Sequence, residues 1–117
     1  MDEATTVKLR EVLEEQRENL RKEIQEQGAD PDTEEVAIDV ESGFADSAHS
    51  TAERARMISV IRALRSNLRD VERALTKMQL RTYGTCERCG NPIPPERLEA
   101  LPWALLCIDC KQKGVAR

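Results

Sequence analysis

The chain has 117 residues, of which 34% are charged, 39% apolar and only 3% aromatic, and its formal net charge is -4. This balance excludes a large aromatic core and is typical of surface-exposed helices with a narrow buried stripe. The acidic net charge also disfavours a protein that binds nucleic acid through a broad basic face.

The first predicted element is a helix over residues 6–27, made mostly of strong helix formers. Gly28 follows this segment, in the place where a helix C-terminal cap is expected. The apolar residues that recur at helical spacing are Leu9, Val12, Leu13, Leu20 and Ile24.

An acidic loop is predicted next, at about residues 28–46. Residues 28–53 contain eight acidic residues and no basic residue. Pro31, Gly43 and several aspartates interrupt helical periodicity there. Within this loop, Phe44 is an aromatic residue in acidic surroundings, which makes it a candidate contact for a partner.

A second helix is predicted to begin between Asp46 and Thr51 and to run to about Thr82. Its apolar residues follow heptad spacing and form a seam that needs a helical partner. Because residues 54–82 are strongly basic and helix 1 is acidic, an antiparallel hairpin in a monomer is favoured over a homodimer. The seam residues are Met57, Ile61, Leu64, Leu68, Val71, Leu75 and Met78.

Four cysteines dominate the C-terminal segment. Cys86 and Cys89 form one C-x2-C pair, Cys107 and Cys110 form the other, and 17 residues separate the pairs. This spacing is typical of a four-thiolate site for one structural Zn²⁺, with no open position for catalysis. Two redox-active pairs or plain buried cysteines are the alternatives.

The surroundings of the cysteines agree with a metal-stabilised module. Four thiolates around Zn²⁺ carry a formal charge of about -2, which nearby cations must offset. Gly90 supplies a position that tolerates positive φ, and the second cysteine pair is expected to open a short helix. The candidate cations are Arg88, Lys111 and Lys113, and the candidate small core is Leu98, Leu101, Trp103 and Leu106.

Neither an export signal nor a long apolar stretch is visible, so the chain is expected in the cytoplasm and without a membrane span. Reduced thiols in that compartment favour metal binding over disulfides. His49 is the sole histidine, and no phosphate loop or nucleophile flanked by a base appears. We therefore do not expect an enzyme.

Three segments resemble the DksA/TraR family of bacterial transcription regulators: 83–90 (YGTCERCG), 97–100 (RLEA) and 106–111 (LCIDCK). The resemblance also covers the charged hairpin and extends to about Lys113. It implies a mainly α protein, an antiparallel coiled-coil hairpin followed by a four-cysteine zinc finger. It also implies direct binding to RNA polymerase, with DNA contacted only indirectly and the coiled-coil tip inserted in the secondary channel.

The resemblance also suggests functional residues at the tip and around the finger. Asp46 and Ala48 match the family's Asp-x-x-Asp-x-Ala tip motif, whereas Gly43 replaces its first acid. Lys111 matches the basic residue after the last cysteine that helps some members respond to ppGpp. Positions 63 and 70 hold Ala and Asp instead of basic residues, so we predict little or no ppGpp synergy.

The predicted division of the chain is a hairpin over residues 1–82 and a zinc-finger module over 83–117. Three functional hypotheses remain at this point. The first is an RNA polymerase-binding regulator, with Phe44, Arg88 and Lys111 as possible partner contacts. The second is a zinc module that binds nucleic acid through its basic residues, and the third is a homodimeric coiled-coil adaptor.

Overall fold

The computed structural model describes residues 2–32 and 51–112. Over these residues it is mainly helical, with four α-helices: α1 (Glu3–Glu26), α2 (Thr51–Gln79), α3 (Pro95–Ala100) and α4 (Ile108–Gln112). The two long helices form a hairpin, and the four-cysteine segment with the two short helices follows it. This confirms the predicted fold class.

Helix α1 begins three residues earlier than predicted, because Asp2 caps it. The Asp2 Oδ1 atom accepts a hydrogen bond of 2.7 Å from the backbone N–H of Thr5, and this bond lowers the pKa of the Asp2 carboxyl. A carboxylate at this position also interacts favourably with the positive end of the helix dipole. The sequence pattern missed this start because the first turn carries little apolar periodicity.

Helix α1 ends at Glu26, and Gly28 forms its C-terminal cap as predicted. Gly28 adopts φ 89°, and its N–H donates to the Gln25 carbonyl at 3.0 Å. The N–H of Ala29 donates to the Ile24 carbonyl at 3.1 Å, and both of these residues belong to one buried apolar cluster. The two bonds and the apolar contact make a Schellman motif, which satisfies the last carbonyls of the helix.

Helix α2 ends at Gln79, three residues before the predicted end. Arg81 takes the left-handed conformation, φ 62°, that glycine usually supplies. The N–H of Thr82 donates to the Lys77 carbonyl at 2.8 Å, and that of Arg81 donates to the Met78 carbonyl at 3.2 Å. No glycine or proline marks residues 79–81, so the sequence contained no stop signal there.

The described chain divides into two compact units. Each unit contains one end of α1 and the opposite end of α2. One unit comprises residues 17–69, where the end of α1 packs on the start of α2. Its cluster is built on Ile24, Ala29, Ile61 and Leu68, with Leu20, Ile58 and Leu64 packed around it. The helices are therefore antiparallel, and this part of the predicted seam lies in the core.

The other unit takes residues 1–16 together with residues 70–117. Leu9 and Leu13 of α1 are buried there, as are Val71, Ala74 and Met78 of α2. The predicted division at residue 82 remains a prediction. None of the helices in the described ranges has the length and apolar character needed to span a bilayer.

One arginine of α2 is buried. Arg65 is 5% exposed, and its Nε and Nη2 atoms have no hydrogen-bond partner within the described ranges. The reason is its register, four residues after Ile61 and three before Leu68, which places it on the buried face.

Candidate metal centre

The fold brings all four cysteines to one point. Their Sγ atoms all lie within 4.8 Å of one another, and the Sγ atoms of Cys89 and Cys107 are 3.7 Å apart. Zinc–sulfur bonds of about 2.3 Å in tetrahedral geometry place sulfurs about 3.8 Å apart. All four cysteines are free thiols, so the cluster fits a Zn²⁺ ion held by Cys86, Cys89, Cys107 and Cys110.

The first cysteine pair sits in a tight turn stabilised by backbone hydrogen bonds. The N–H of Gly90 donates to the Cys86 carbonyl at 3.0 Å, and Gly90 has the positive φ, 76°, that its sequence position predicted. The N–H of Cys86 donates to the Asn91 carbonyl at 2.9 Å, next to an isolated bridge between Thr85 and Pro92. These bonds aim both sulfurs of the pair at the same point.

The second pair opens a helix, as predicted. Helix α4 starts one residue after Cys107 and contains Cys110, and the N–H of Lys111 donates to the Cys107 carbonyl at 3.0 Å. A backbone bond of 2.9 Å from the Glu87 N–H to the Leu105 carbonyl ties the two turns together. Backbone hydrogen bonds therefore hold the two cysteine turns next to each other.

The thiols of Cys86 and Cys110 have pKa values shifted in opposite directions. Burial raises the pKa of the Cys86 thiol, but hydrogen bonds from the backbone N–H groups of Cys89, Cys107 and Arg88 outweigh it and lower the value to about 6. Burial raises the pKa of Cys110 to about 12, and its hydrogen bonds with the other three thiols act in the same direction. Without metal the cluster therefore retains protons, which zinc must displace on binding.

A buried lysine that sequence reasoning missed lies beside this cluster. Lys77 of α2 is 6% exposed, and its Nζ atom donates a hydrogen bond to the Thr85 carbonyl at 2.5 Å. Burial lowers the pKa of Lys77, whereas the negative charges of Glu87 and Cys86 favour its charged form. Lys77 directly precedes the buried Met78 and follows the buried Ala74 by three residues, so its position on α2 places it on the buried face.

A second contact from α2 reaches the same turn. The Nε atom of Arg73 donates to the Glu87 carboxylate, and the Nε–Oε2 distance is 2.5 Å. By contrast, the predicted cations Arg88 and Lys111 are exposed, and Lys113 lies outside the described residues. Exposed cations are screened by water and salt, so they compensate the negative charge of the centre less effectively than a buried cation does.

A small apolar core supports the cysteine turns. Leu98 and Leu106 are buried as predicted, whereas Leu101 and Trp103 are half-buried. Sequence reasoning missed three members, because they stand in short segments without periodicity. These are Ile93, Ala104 and Leu105.

Two side chains donate hydrogen bonds to backbone carbonyls in the loops of this core. The phenol of Tyr83 donates to the Pro102 carbonyl at 2.9 Å, and burial raises the pKa of Tyr83 to about 12. The Arg97 Nε atom donates to the Leu106 carbonyl at 3.2 Å. Both bonds satisfy carbonyls that helices do not use.

The predicted tip residues Asp46 and Ala48 and the predicted contact Phe44 lie outside the described residues. The structure therefore describes the zinc ligands, Arg88 and Lys111, and leaves the roles of the tip residues as predictions.

Comparison with known proteins found relatives over nearly the whole chain. The family described as "Prokaryotic dksA/traR C4-type zinc finger" matches residues 81–113. The "RNA polymerase-binding transcription factor DksA" of Escherichia coli strain K12 is 33% identical over 114 residues, covering 95% of this chain and 72% of that protein. The "General stress protein 16O" of Bacillus subtilis strain 168 is 38% identical over 77 residues, covering 66% of this chain.

The chain spans about half the length of the B. subtilis relative, 47%. Among solved structures, the transcription factor DksA2 from Pseudomonas aeruginosa has a TM-score of 0.71 at 23% identity, covering 97% of this chain and 85% of that one. This similarity shows a shared fold. The C4 match and the clustered cysteines together identify one structural zinc site in this chain.

Proposed function

Because the chain belongs to the DksA/TraR family of C4-type zinc-finger proteins, we propose that it binds RNA polymerase and regulates transcription. The observation that carries this proposal is the similarity to the E. coli protein, which extends over nearly the whole chain and so includes the hairpin as well as the finger. A shared finger alone would equally suit a nucleic-acid-binding module.

The finer proposal is that the hairpin end between α1 and α2 enters the secondary channel, with Asp46 and Ala48 at its tip. The finger would then present Arg88 and Lys111 to the polymerase surface, since both side chains are exposed next to the metal centre, Arg88 on the first cysteine turn and Lys111 on α4. Phe44 is the proposed apolar anchor in the acidic segment. In this proposal zinc shapes the surface and takes no part in chemistry, so the protein is not an enzyme.

Site-specific photocrosslinking tests the binding mode. A photoreactive residue in place of Phe44 is expected to crosslink to a polymerase subunit at the secondary channel, and one in place of the exposed α1 residue Lys8 is not. Crosslinks from both positions to DNA, lost steeply as salt rises, would instead support the nucleic-acid hypothesis. A dimer by light scattering with no polymerase crosslink would support the adaptor hypothesis.

The role of the tip is tested by Asp46→Asn. Asparagine keeps the ability to cap a helix but removes the charge, so this variant is expected to bind polymerase and to lose its effect on promoter output in vitro. The matched control is Glu18→Gln, a neutralised carboxylate on the exposed face of α1. Unchanged output from Asp46→Asn would refute a functional tip carboxylate.

We also propose that the protein acts in the cytoplasm and responds weakly, if at all, to ppGpp. The reason for the second point is that Ala63 and Asp70 stand where responsive members have basic residues. The same transcription assay decides it, because a clear gain in effect on adding ppGpp would contradict the proposal.

A further inference from the structure

Lys77 is buried although it carries a charge, and the only hydrogen bond of its ammonium within the described ranges goes to the Thr85 carbonyl. A buried ammonium is unfavourable unless negative charge lies nearby. The negative charge of Glu87 and, more weakly, that of Cys86 attract the ammonium, whereas the nearby positive charge of Arg73 opposes it. The acceptor, Thr85, is the residue directly before Cys86.

We infer that Lys77 supplies the buried positive charge that stabilises the zinc–thiolate centre, and that zinc binding is thereby coupled to the last turns of α2. The inference concerns the metal centre alone and holds whether or not the chain binds RNA polymerase.

The geometry supports this coupling because α2 contacts the first cysteine turn on both sides of Cys86. Lys77 bonds to the backbone of Thr85, and Arg73 bonds to the side chain of Glu87. Both contacts come from the same stretch of α2, one turn apart. A shift of the turn on metal loss would therefore disturb two contacts of the helix together.

The charge balance around the metal gives the direction in which Lys77 changes zinc affinity. Zinc with four thiolates leaves a formal charge of about -2, and this charge is only partly neutralised by backbone N–H groups. A cation held in a buried position interacts with it under little screening, whereas the exposed Arg88 and Lys111 are screened. Lys77 therefore favours the negatively charged zinc–thiolate centre.

The test compares zinc affinity by competition with a chromophoric chelator at fixed pH and salt. Lys77→Met keeps most of the apolar stem and removes the charge, so zinc affinity is expected to fall about 10–100-fold, as for the loss of other outer-shell partners of metals. Lys77→Arg keeps the charge and is expected to retain most of the affinity. Lys111→Met, the exposed control next to a ligand, is expected to show a clearly smaller loss than Lys77→Met.

Two results of this titration would overturn the inference. One is an unchanged zinc affinity for Lys77→Met. The other is an equal loss for Lys77→Met and Lys77→Arg, which would assign Lys77 a packing role without electrostatics.

A second measurement needs no variant and tests the coupling of α2 to the metal even if Lys77→Met does not fold. In the wild-type protein, removing zinc with a chelator is expected to speed amide hydrogen exchange at residues 73–79 more than at residues 55–65, which belong to the other compact unit. Equal exchange at residues 73–79 with and without zinc would show that the end of α2 is not coupled to the metal.

Discussion

Replacing Ile61 by alanine tests the packing of the hairpin. Ile61 is fully buried and lies in a cluster with Ile24 of α1 and Leu68 of α2. The substitution removes three carbons, worth about 0.8 kcal/mol each in transfer free energy, and leaves a cavity between the helices. Together these predict a loss of about 3 kcal/mol in the free energy of unfolding.

The assay is urea unfolding of the zinc-loaded protein, followed by far-ultraviolet circular dichroism. Val60→Ala is the matched control, since Val60 is the preceding residue of the same helix and is 40% exposed. Its loss of apolar contact is small and is offset by the higher helix propensity of alanine, so its expected change is below about 0.5 kcal/mol. An intact hairpin predicts different midpoints for the two variants and similar slopes.

Equal effects of the two substitutions would refute the packing of α2 on α1 through Ile61. Protein concentration supplies a further check. The unfolding midpoint of a monomeric hairpin does not depend on concentration, whereas the midpoint of a homodimer rises with it. A clear rise would favour the adaptor hypothesis.

Two further predictions concern the cysteine module. Cys110→Ser removes a ligand, so its zinc affinity should fall by more than the 10–100-fold or so that is typical of losing an outer-shell partner. Native mass spectrometry and Trp103 fluorescence would report this, and full zinc loading at wild-type affinity would contradict it. Tyr83, the sole tyrosine, should titrate near pH 12 when folded and near its ordinary pKa of 10.0 in denaturant. Because burial raises the pKa of Tyr83 in the folded protein, its contribution to stability is complete below pH 10 and is lost as pH rises towards 12. Absorbance of the phenolate measures this pKa, and the same titration midpoint in the folded and the denatured protein would contradict the prediction.

The helical hairpin was predictable because its signals are local or periodic. The heptad spacing through Ile61, Leu68 and Val71 required a partner helix, and those side chains are buried in the structure. The glycine at position 28 and the glycine at position 90 both take the positive φ that their places in the pattern required. Cysteine spacing likewise predicted the cluster, since two C-x2-C turns bring four sulfurs to one ion.

What sequence reasoning missed depends on tertiary contact. Lys77 and Arg65 are charged, and a hydropathy pattern assigns such residues to solvent, yet their register on α2 buries both. The contact from Lys77 to Thr85 requires the cysteine turn to lie beside α2, which no spacing rule specifies. Arg81 ends α2 in a conformation that is uncommon for a residue with a side chain, so the end was placed too late.

The proposal that this chain binds RNA polymerase is tested most directly by native mass spectrometry of the protein mixed with core RNA polymerase in the absence of DNA. Zinc-loaded protein is expected to add one chain per polymerase, and protein stripped of zinc or carrying Cys86→Ser is expected to bind more weakly. No added mass at saturating zinc-loaded protein would contradict polymerase binding, and equal binding with and without zinc would contradict the need for a folded finger.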